Sequence, residues 1–326
     1  MQIPTAVIGV GSLGFHHARL LKEIEGSEIV GIHDTDAARG REVADALGLR
    51  SFNDPDALLR QAEAVVIAVP TTEHAEVALA ALDRGAHVLI EKPLAPSLAD
   101  ADRILAAASA SGLMVGTGHV ERFNQALRAC DPYLDVPRFI ESHRLSAFGL
   151  RGTDVAVVLD LMIHDIDLVL GLAARPVDSV DAVGIPVLTP SVDIANARLK
   201  FVGGAVANIT ASRVSKDRLR KIRLFQESGY ISLDLAAGTG EFLRLKPDVV
   251  LASPEAMEAG IEGLVERVEL KGDGKEPLKA ELESFLAAVR GEHDLVVSGE
   301  DGRRALAVAL EIVESIEANV ADPYPA

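Results

Sequence analysis

Three short groups of residues in this 326-residue chain have the types and spacing of reaction chemistry. The first is Gly9-Val10-Gly11-Ser12-Leu13-Gly14, a GxGxxG run. The second is Glu91-Lys92-Pro93, directly after the apolar stretch His87 to Ile90. The third is Asp160 with His164, inside the run VAVVLDLMIHDIDLVLG. That run reads as a helix apolar nearly all round, hence buried, and ionisable groups there are costly unless paired. Asp160 and His164 stand at i and i+4 and share a helix face. Asp167 lies near the same face and Asp165 points elsewhere. A carboxylate one turn from an imidazole orients it and fixes its tautomer. Pro93 restricts the backbone of Lys92 to extended or turn geometry, which holds an ammonium at one edge of a cleft. These parts suit removal of a hydride from a secondary alcohol. Neutral His164 would take the hydroxyl proton while cationic Lys92 stabilises the developing alkoxide, and Asp160 orients the imidazole. Lys92 taking the proton itself is the alternative, and sequence leaves the two roles open. The group lacks a further histidine at ligand spacing, so no metal is expected.

The glycine run follows the strand-like TAVIGV, opens the helical FHHARLLKEIEG, and has Asp34 at the end of the next strand, EIVGIHD. That context is the dinucleotide fingerprint. Gly9 permits the tight turn, Gly11 lets a pyrophosphate approach the backbone, and Gly14 permits close helix–strand packing. Ser12 and Leu13 begin the helix whose N-terminus supplies N–H groups and partial positive charge. Asp34 would accept hydrogen bonds from a ribose and repel a 2′-phosphate, so NAD is expected over NADP, with Arg39 and Arg41 close enough to soften that preference. Ligands of open parallel sheets bind beyond the carboxyl ends of the strands, where Pro70, Thr71, Thr72, His74, Glu91, Lys92 and His119 fall. The expected cofactor contacts are therefore Gly9, Gly11, Ser12, Leu13, Gly14, Asp34, Pro70, Thr71, His74, Glu91 and Lys92. His16 and His17, just past Gly14, read as helix-surface or cofactor-edge residues.

Positioning these groups requires an α/β fold. Residues 1–120 alternate strand and helix, which predicts a Rossmann domain with a doubly wound parallel sheet. A weaker strand is expected near Arg50–Phe52. Beyond it, residues 121–326 read as an α+β domain with a mainly antiparallel, open sheet. In DIANARLKFV, Ala195, Ala197, Leu199 and Phe201 share one face while Asn196, Arg198 and Lys200 share the other, and Gly203-Gly204 reads as a two-residue hairpin turn. Two amphipathic helices follow near the end. The basic cluster of Arg213, Lys216, Arg218, Arg220 and Lys221 reads as a charged solvent face.

A formal net charge of −17 argues against nucleic acid and anionic membranes as partners. No apolar stretch has the length and freedom from charge of a membrane span. The chain enters a strand at once, without a basic leader, and Cys130 is its single cysteine, so a cytoplasmic protein without disulfides is expected. Cys130 reads as an inert buried thiol.

On GVGSLG, Glu91-Lys92-Pro93 and Asp160-x-x-x-His164 the chain resembles the Gfo/Idh/MocA family of oxidoreductases, over nearly its whole length. The resemblance implies a Rossmann domain followed by a domain whose open sheet makes subunit contacts, giving a homodimer or homotetramer. It also implies a Lys–Asp–His group, here Lys92, Asp160 and His164, and makes Lys92–Pro93 a candidate cis peptide. Gly118-His119-Val120-Glu121-Arg122-Phe123-Asn124, with the run around His164, is similar to a branch that oxidises UDP-N-acetylglucosamine at C3. That implies a nucleotide-sugar substrate, with His119, Arg122 and Asn124 as candidate contacts. A free polyol, inositol or aldose is the alternative substrate, and a non-catalytic NAD-binding redox sensor is a third reading.

Overall fold

The computed structural model describes residues 2–149, 155–247, 249, 260 and 262–320. The chain divides into two units, Met1–Phe123 with Glu276–Ala307, and Asn124–Lys275 with Val308–Ala326.

In the first unit, apolar runs alternate with helices in the order β1 (Ile3–Ile8), α1 (Ser12–Glu23), β2 (Ser27–His33), α2 (Ala37–Leu47), α3 (Pro55–Leu59), β3 (Ala64–Ile67), α4 (His74–Asp83), β4 (His87–Glu91), α5 (Leu98–Ser111) and β5 (Val115–Gly118). The five strands form a parallel sheet in the order β2-β1-β3-β4-β5. The chain reverses direction of travel between β1 and β3, so the crevice at their carboxyl ends is the topological switch point. The expected strand near Arg50–Phe52 is reduced to one bridge, Ser51 to Ile32. Asp54 caps α3 and Pro55 starts it, which leaves no residues to lengthen that strand. Sequence signals set the helix ends: Asp36 caps α2, Ser97 Oγ accepts the Asp100 N–H at 3.1 Å, and Gly48 and Gly112 close their helices in the left-handed conformation.

The second unit contains α6 (Gln125–Cys130), β6 (Phe139–Leu145), α7 (Ile163–Ala173), β7 (Val177–Ile185), β8 (Ile194–Phe201), β9 (Val206–Ser212), β10 (Leu219–Gln226), β11 (Gly229–Asp234), β12 (Thr239–Leu245) and β13 (Val265–Lys271). Its eight-stranded sheet runs β13-β12-β11-β10-β6-β9-β8-β7, antiparallel except for the β6–β9 pair. Along β8 the expected alternation is present, with Ala195 to Phe201 buried at every second position and Asn196, Arg198 and Lys200 exposed. The following hairpin loop is longer than the two residues expected. Phe201 N–H donates to the Ala205 carbonyl at 2.9 Å, so Val202, Gly203 and Gly204 form the loop, with both glycines at positive φ. One face of the sheet is covered by α7, through Asp165. Its carboxylate accepts from Ser142 Oγ at 2.7 Å and from the Arg144 guanidinium, and all three side chains are buried. The opposite face carries polar ladders such as Asn196 to Thr210 at 2.9 Å and Arg198 to Asn208 at 3.1 Å.

Two further helices follow, α8 (Pro277–Val289) and α9 (Gly299–Val320). The boundary expected at 120/121 lies close to the Phe123/Asn124 division, but the rest of the chain does not stay in the second unit. Residues 276–307 return to the first. The cause is the apolar face of α8: Leu282, Phe285 and Leu286 lie in one buried cluster with Ile3, Val7, Leu20, Leu21 and Leu89. Each such side chain contributes roughly 1.5–3 kcal/mol on burial. The entropy of closing a long loop rises only slowly with its length, so three anchors outweigh it. The remainder of α9 lies on the second unit's sheet, where Asn319 donates to the Ala182 carbonyl at 2.8 Å and Ser315 Oγ accepts the Ala182 N–H at 3.1 Å. Among the described residues no helix is long and apolar enough to cross a membrane. Cys130 is fully buried, and burial, aided by the charge of Asp131, pushes its thiol up to about 12, away from thiolate chemistry.

The buried Asp165–Arg144 pair holds α7 on the sheet. Asp165→Ala should therefore cost about 3–5 kcal/mol, because it strands a buried guanidinium. Urea unfolding followed by circular dichroism checks this. A loss below about 1 kcal/mol, the range of exposed pairs, would mean that the pair does not anchor the helix.

Candidate active site

The glycine loop has two glycines that the fold requires and one that it does not. At Gly9, with φ of +82°, a Cβ would stand 2.7 Å from the backbone of Ala68 at the end of β3, and at Gly14 it would meet the Gly9 carbonyl oxygen at 1.8 Å. Both are explained by the close approach of β1, β3 and α1. At Gly11 nothing lies within 4 Å of the position a Cβ would take. Gly11 is also the cap residue of α1 and has no side chain to meet the first-turn N–H groups. An open, uncapped helix N-terminus at the sheet's switch point fits a dinucleotide pyrophosphate, and Ser12 and Leu13, both exposed, start that turn. Asp34 is half-buried. Its carboxylate accepts from Val10 N at 2.8 Å and Asp36 N at 2.9 Å, which fixes it at the loop with acceptor capacity left for ribose hydroxyls. Arg39, expected to soften the preference for NAD, donates to the Val10 carbonyl at 2.9 Å and pairs with Glu42 at 2.9 Å, while Arg41 is exposed. Much of the Arg39 charge is thus committed to the loop itself.

Pro70 and Thr71 lie beyond β3, Pro70 exposed and Thr71 half-buried at the start of a short 3₁₀ turn. His74 and Glu91, expected beside the cofactor, are turned into the protein. His74 is buried, with Nδ1 2.9 Å from the Pro93 carbonyl and Nε2 3.1 Å from that of Val69. Burial lowers its pKa against the pull of those carbonyls. Glu91 accepts from His17 Nε2 at 2.7 Å and from its neighbour's backbone, Lys92 N, at 3.2 Å. Burial pushes the Glu91 carboxyl up. The hydrogen bond and charge of His17, with the charge and N–H of Lys92, outweigh it and hold the group below its ordinary value. The Lys92–Pro93 peptide is cis and Lys92 is half-buried.

His17 was expected on the helix surface or at the cofactor edge and is fully buried, whereas His16 is exposed. A signal for this existed. His17 is three residues after Gly14, so it shares the helix face that Gly14 packs against the sheet.

In the second unit the helical run is not uniform. Val158–Met162 forms a π-helical turn, and α7 begins at Ile163. Such widened turns are frequent at functional sites. Asp160 lies in the π-turn and His164 in the first turn of α7, both half-buried; Asp165 and Asp167 are buried. His119 is fully buried and Arg122 half-buried. Asn124, a candidate substrate contact, has a structural assignment instead. Its Oδ1 caps α6 by accepting Ala126 N at 3.0 Å, and its Nδ2 donates to the Leu235 carbonyl at 2.9 Å. Asparagine just before a helix is a cap by preference, which the residue's position already signalled. Of the basic cluster, Lys216, Arg218, Arg220 and Lys221 are exposed as expected. Arg213 is buried against Asp193, at 3.8 Å, and the Val155 carbonyl.

Comparison with known proteins places these features in a family. Residues 3–119 match the Gfo/Idh/MocA oxidoreductase family, NAD-binding Rossmann fold, and residues 137–232 match the Gfo/Idh/MocA C-terminal domain. The chain is similar to UDP-N-acetylglucosamine 3-dehydrogenase from Acidithiobacillus ferrooxidans, 37% identical over 320 residues covering 98% of each chain. A solved structure of that enzyme superposes with a TM-score of 0.88 and 35% identity, over 98% of this chain and 99% of that one. Myo-inositol 2-dehydrogenase from Thermotoga maritima is 27% identical over 95% of each chain. With a glycine-rich loop opening α1, an acidic residue directly after the second strand and matches across both units, the chain belongs to the Gfo/Idh/MocA family of NAD-binding oxidoreductases.

Proposed function

We propose that this oxidoreductase oxidises the C3 hydroxyl of UDP-N-acetylglucosamine to a ketone, and that it does so in the cytoplasm. What supports the substrate most is the 37% identity to UDP-N-acetylglucosamine 3-dehydrogenase across 98% of each chain. NAD held at the glycine loop would supply the acceptor for the hydride of the carbinol carbon. In this reading the residues around it have separate tasks. The α1 N-terminus with Gly9, Gly11, Ser12, Leu13 and Gly14 receives the pyrophosphate, Asp34 the ribose, and Pro70 and Thr71 line the cofactor side. Lys92 donates a hydrogen bond to the reacting hydroxyl and stabilises its oxygen as the proton leaves. His164 accepts that proton on a ring nitrogen, and Asp160 orients the ring. His119 and Arg122 serve the sugar nucleotide. Self-association through the open face of the eight-stranded sheet completes the proposal.

A second reading, oxidation of a free polyol, is favoured by the 27% identity to myo-inositol 2-dehydrogenase over 95% of each chain. Ligand-linked melting separates the two, since a ligand at about 100 times its dissociation constant stabilises by about 2.7 kcal/mol. UDP-N-acetylglucosamine should raise the melting temperature of the NAD-loaded protein and support NAD reduction, and myo-inositol should do neither. The reverse pattern would transfer the assignment to a polyol.

His164→Ala should lower turnover by about 10²–10⁴-fold. Near-parental turnover would remove His164 as proton acceptor. Asp34→Ala should weaken NAD and narrow the gap between NAD and NADP affinities, measured by fluorescence titration. An unchanged gap would take Asp34 out of the cofactor site.

A further inference from the structure

The Glu91–His17 pair is placed where stability alone does not call for it. Glu91 ends β4, whose preceding residues Val88, Leu89 and Ile90 are buried and apolar. His17 is fully buried in α1, and its Nδ1 is enclosed without a hydrogen-bond partner. Its Nε2 is the nitrogen that meets the Glu91 carboxylate, at 2.7 Å. With a carboxylate as partner, Nε2 carries the hydrogen and donates it. Desolvating a carboxylate and an imidazole is costly, and an apolar pair of similar volume commonly holds two elements together as well or better. A polar pair does what an apolar one cannot, which is to fix direction.

The direction it fixes is that of the next residue. Glu91 uses one oxygen for His17 and the other for the backbone N–H of Lys92, at 3.2 Å. On the other side of the turn, the Pro93 carbonyl lies 2.9 Å from His74 Nδ1. Lys92 thus sits between two held backbone groups: its own N–H, on the Glu91 carboxylate that His17 of α1 meets, and the Pro93 carbonyl, at His74 of α4. The same α1 presents its N-terminus at the glycine loop.

We propose that His17 is a positioning residue that acts through Glu91: it locks the carboxylate in the rotamer that holds the Lys92 backbone, and so sets where the Lys92 ammonium is delivered. This rests on the reading of Lys92 as the group that meets the substrate hydroxyl. Small misplacements of such a group are expensive, since about 1 Å can cost on the order of 10²-fold in rate.

The experiment compares His17→Leu, His17→Gln and Lys92→Ala in the full-length protein, with kcat, KM for the sugar nucleotide, NAD affinity and circular dichroism measured for each. His17→Leu removes the donor at similar volume and should lower kcat by about 10- to 100-fold, with NAD affinity within about twofold of the parent. His17→Gln places an amide N–H where Nε2 was and should recover most of that loss. Parental kcat in His17→Leu, with Lys92→Ala inactive, overturns the positioning role and leaves Lys92 in place. Parental kcat in Lys92→Ala overturns the underlying reading instead. Failure of the glutamine to restore any turnover also counts against the proposal, because a donor at that point would then be irrelevant. If His17→Leu does not fold, Glu91→Gln carries the test. Its amide keeps an acceptor for only one of the two donors, so kcat should fall while NAD affinity holds, and parental kcat would overturn the proposal.

Discussion

Helix α1 can begin where it does only because two backbone segments approach within side-chain distance. A Cβ at Gly14 would overlap the Gly9 carbonyl oxygen, and one at Gly9 would press on Ala68 at the end of β3. That close approach sets several things at once. It brings the helix N-terminus to the mouth of the sheet and leaves Gly11 over open space. It also buries the face that carries His17, Leu20 and Leu21. Leu20 and Leu21 then form part of the cluster that receives Leu282, Phe285 and Leu286 from α8. A bulkier residue at either glycine would shift the helix axis, and the α1 N-terminus, the Glu91 partner and the α8 contact would move with it.

Both units place ionised side chains inside apolar surroundings, with different consequences. Asp165 pairs with Arg144 and Ser142, and Asp193 accepts three backbone N–H groups and the Thr189 hydroxyl while facing Arg213. Burial pushes the Asp193 carboxyl up, but these donors outweigh it and hold it well below its ordinary value. Such pairs hold a helix or a loop in one orientation. The Glu91–His17 pair uses the same physics beside a residue with a proposed chemical role, where an error of orientation would be read as lost rate rather than lost stability.

The aspartates of the apolar helix run are explained by a division of labour along it. Asp165 faces the sheet and fastens α7, and Asp167 is buried as well. Asp160 and His164 are only half-buried; Asp160 lies in the π-turn of Val158–Met162 and His164 in the regular helix that follows it. One widened turn changes which way successive side chains face. The run can therefore be anchored on one side and remain approachable on another.

Much of this was legible in the chain itself. Strand–helix alternation, the glycine loop with Asp34 and the in–out pattern of β8 depend on neighbours a few residues apart, and local sterics and periodicity decide them. The features that were not legible depend on residues far apart. His17 meets Glu91 across 74 positions, and Asn124 reaches Leu235 across 111. The return of α8 to the first unit, onto Leu20, Leu21 and Leu89, is of the same kind. Spacing reports only which face of its own element a side chain occupies. What waits on that face is set by packing between elements, and so the residue types and local frame of the site came from the sequence, while the partner of each buried polar group was decided only when the chain folded.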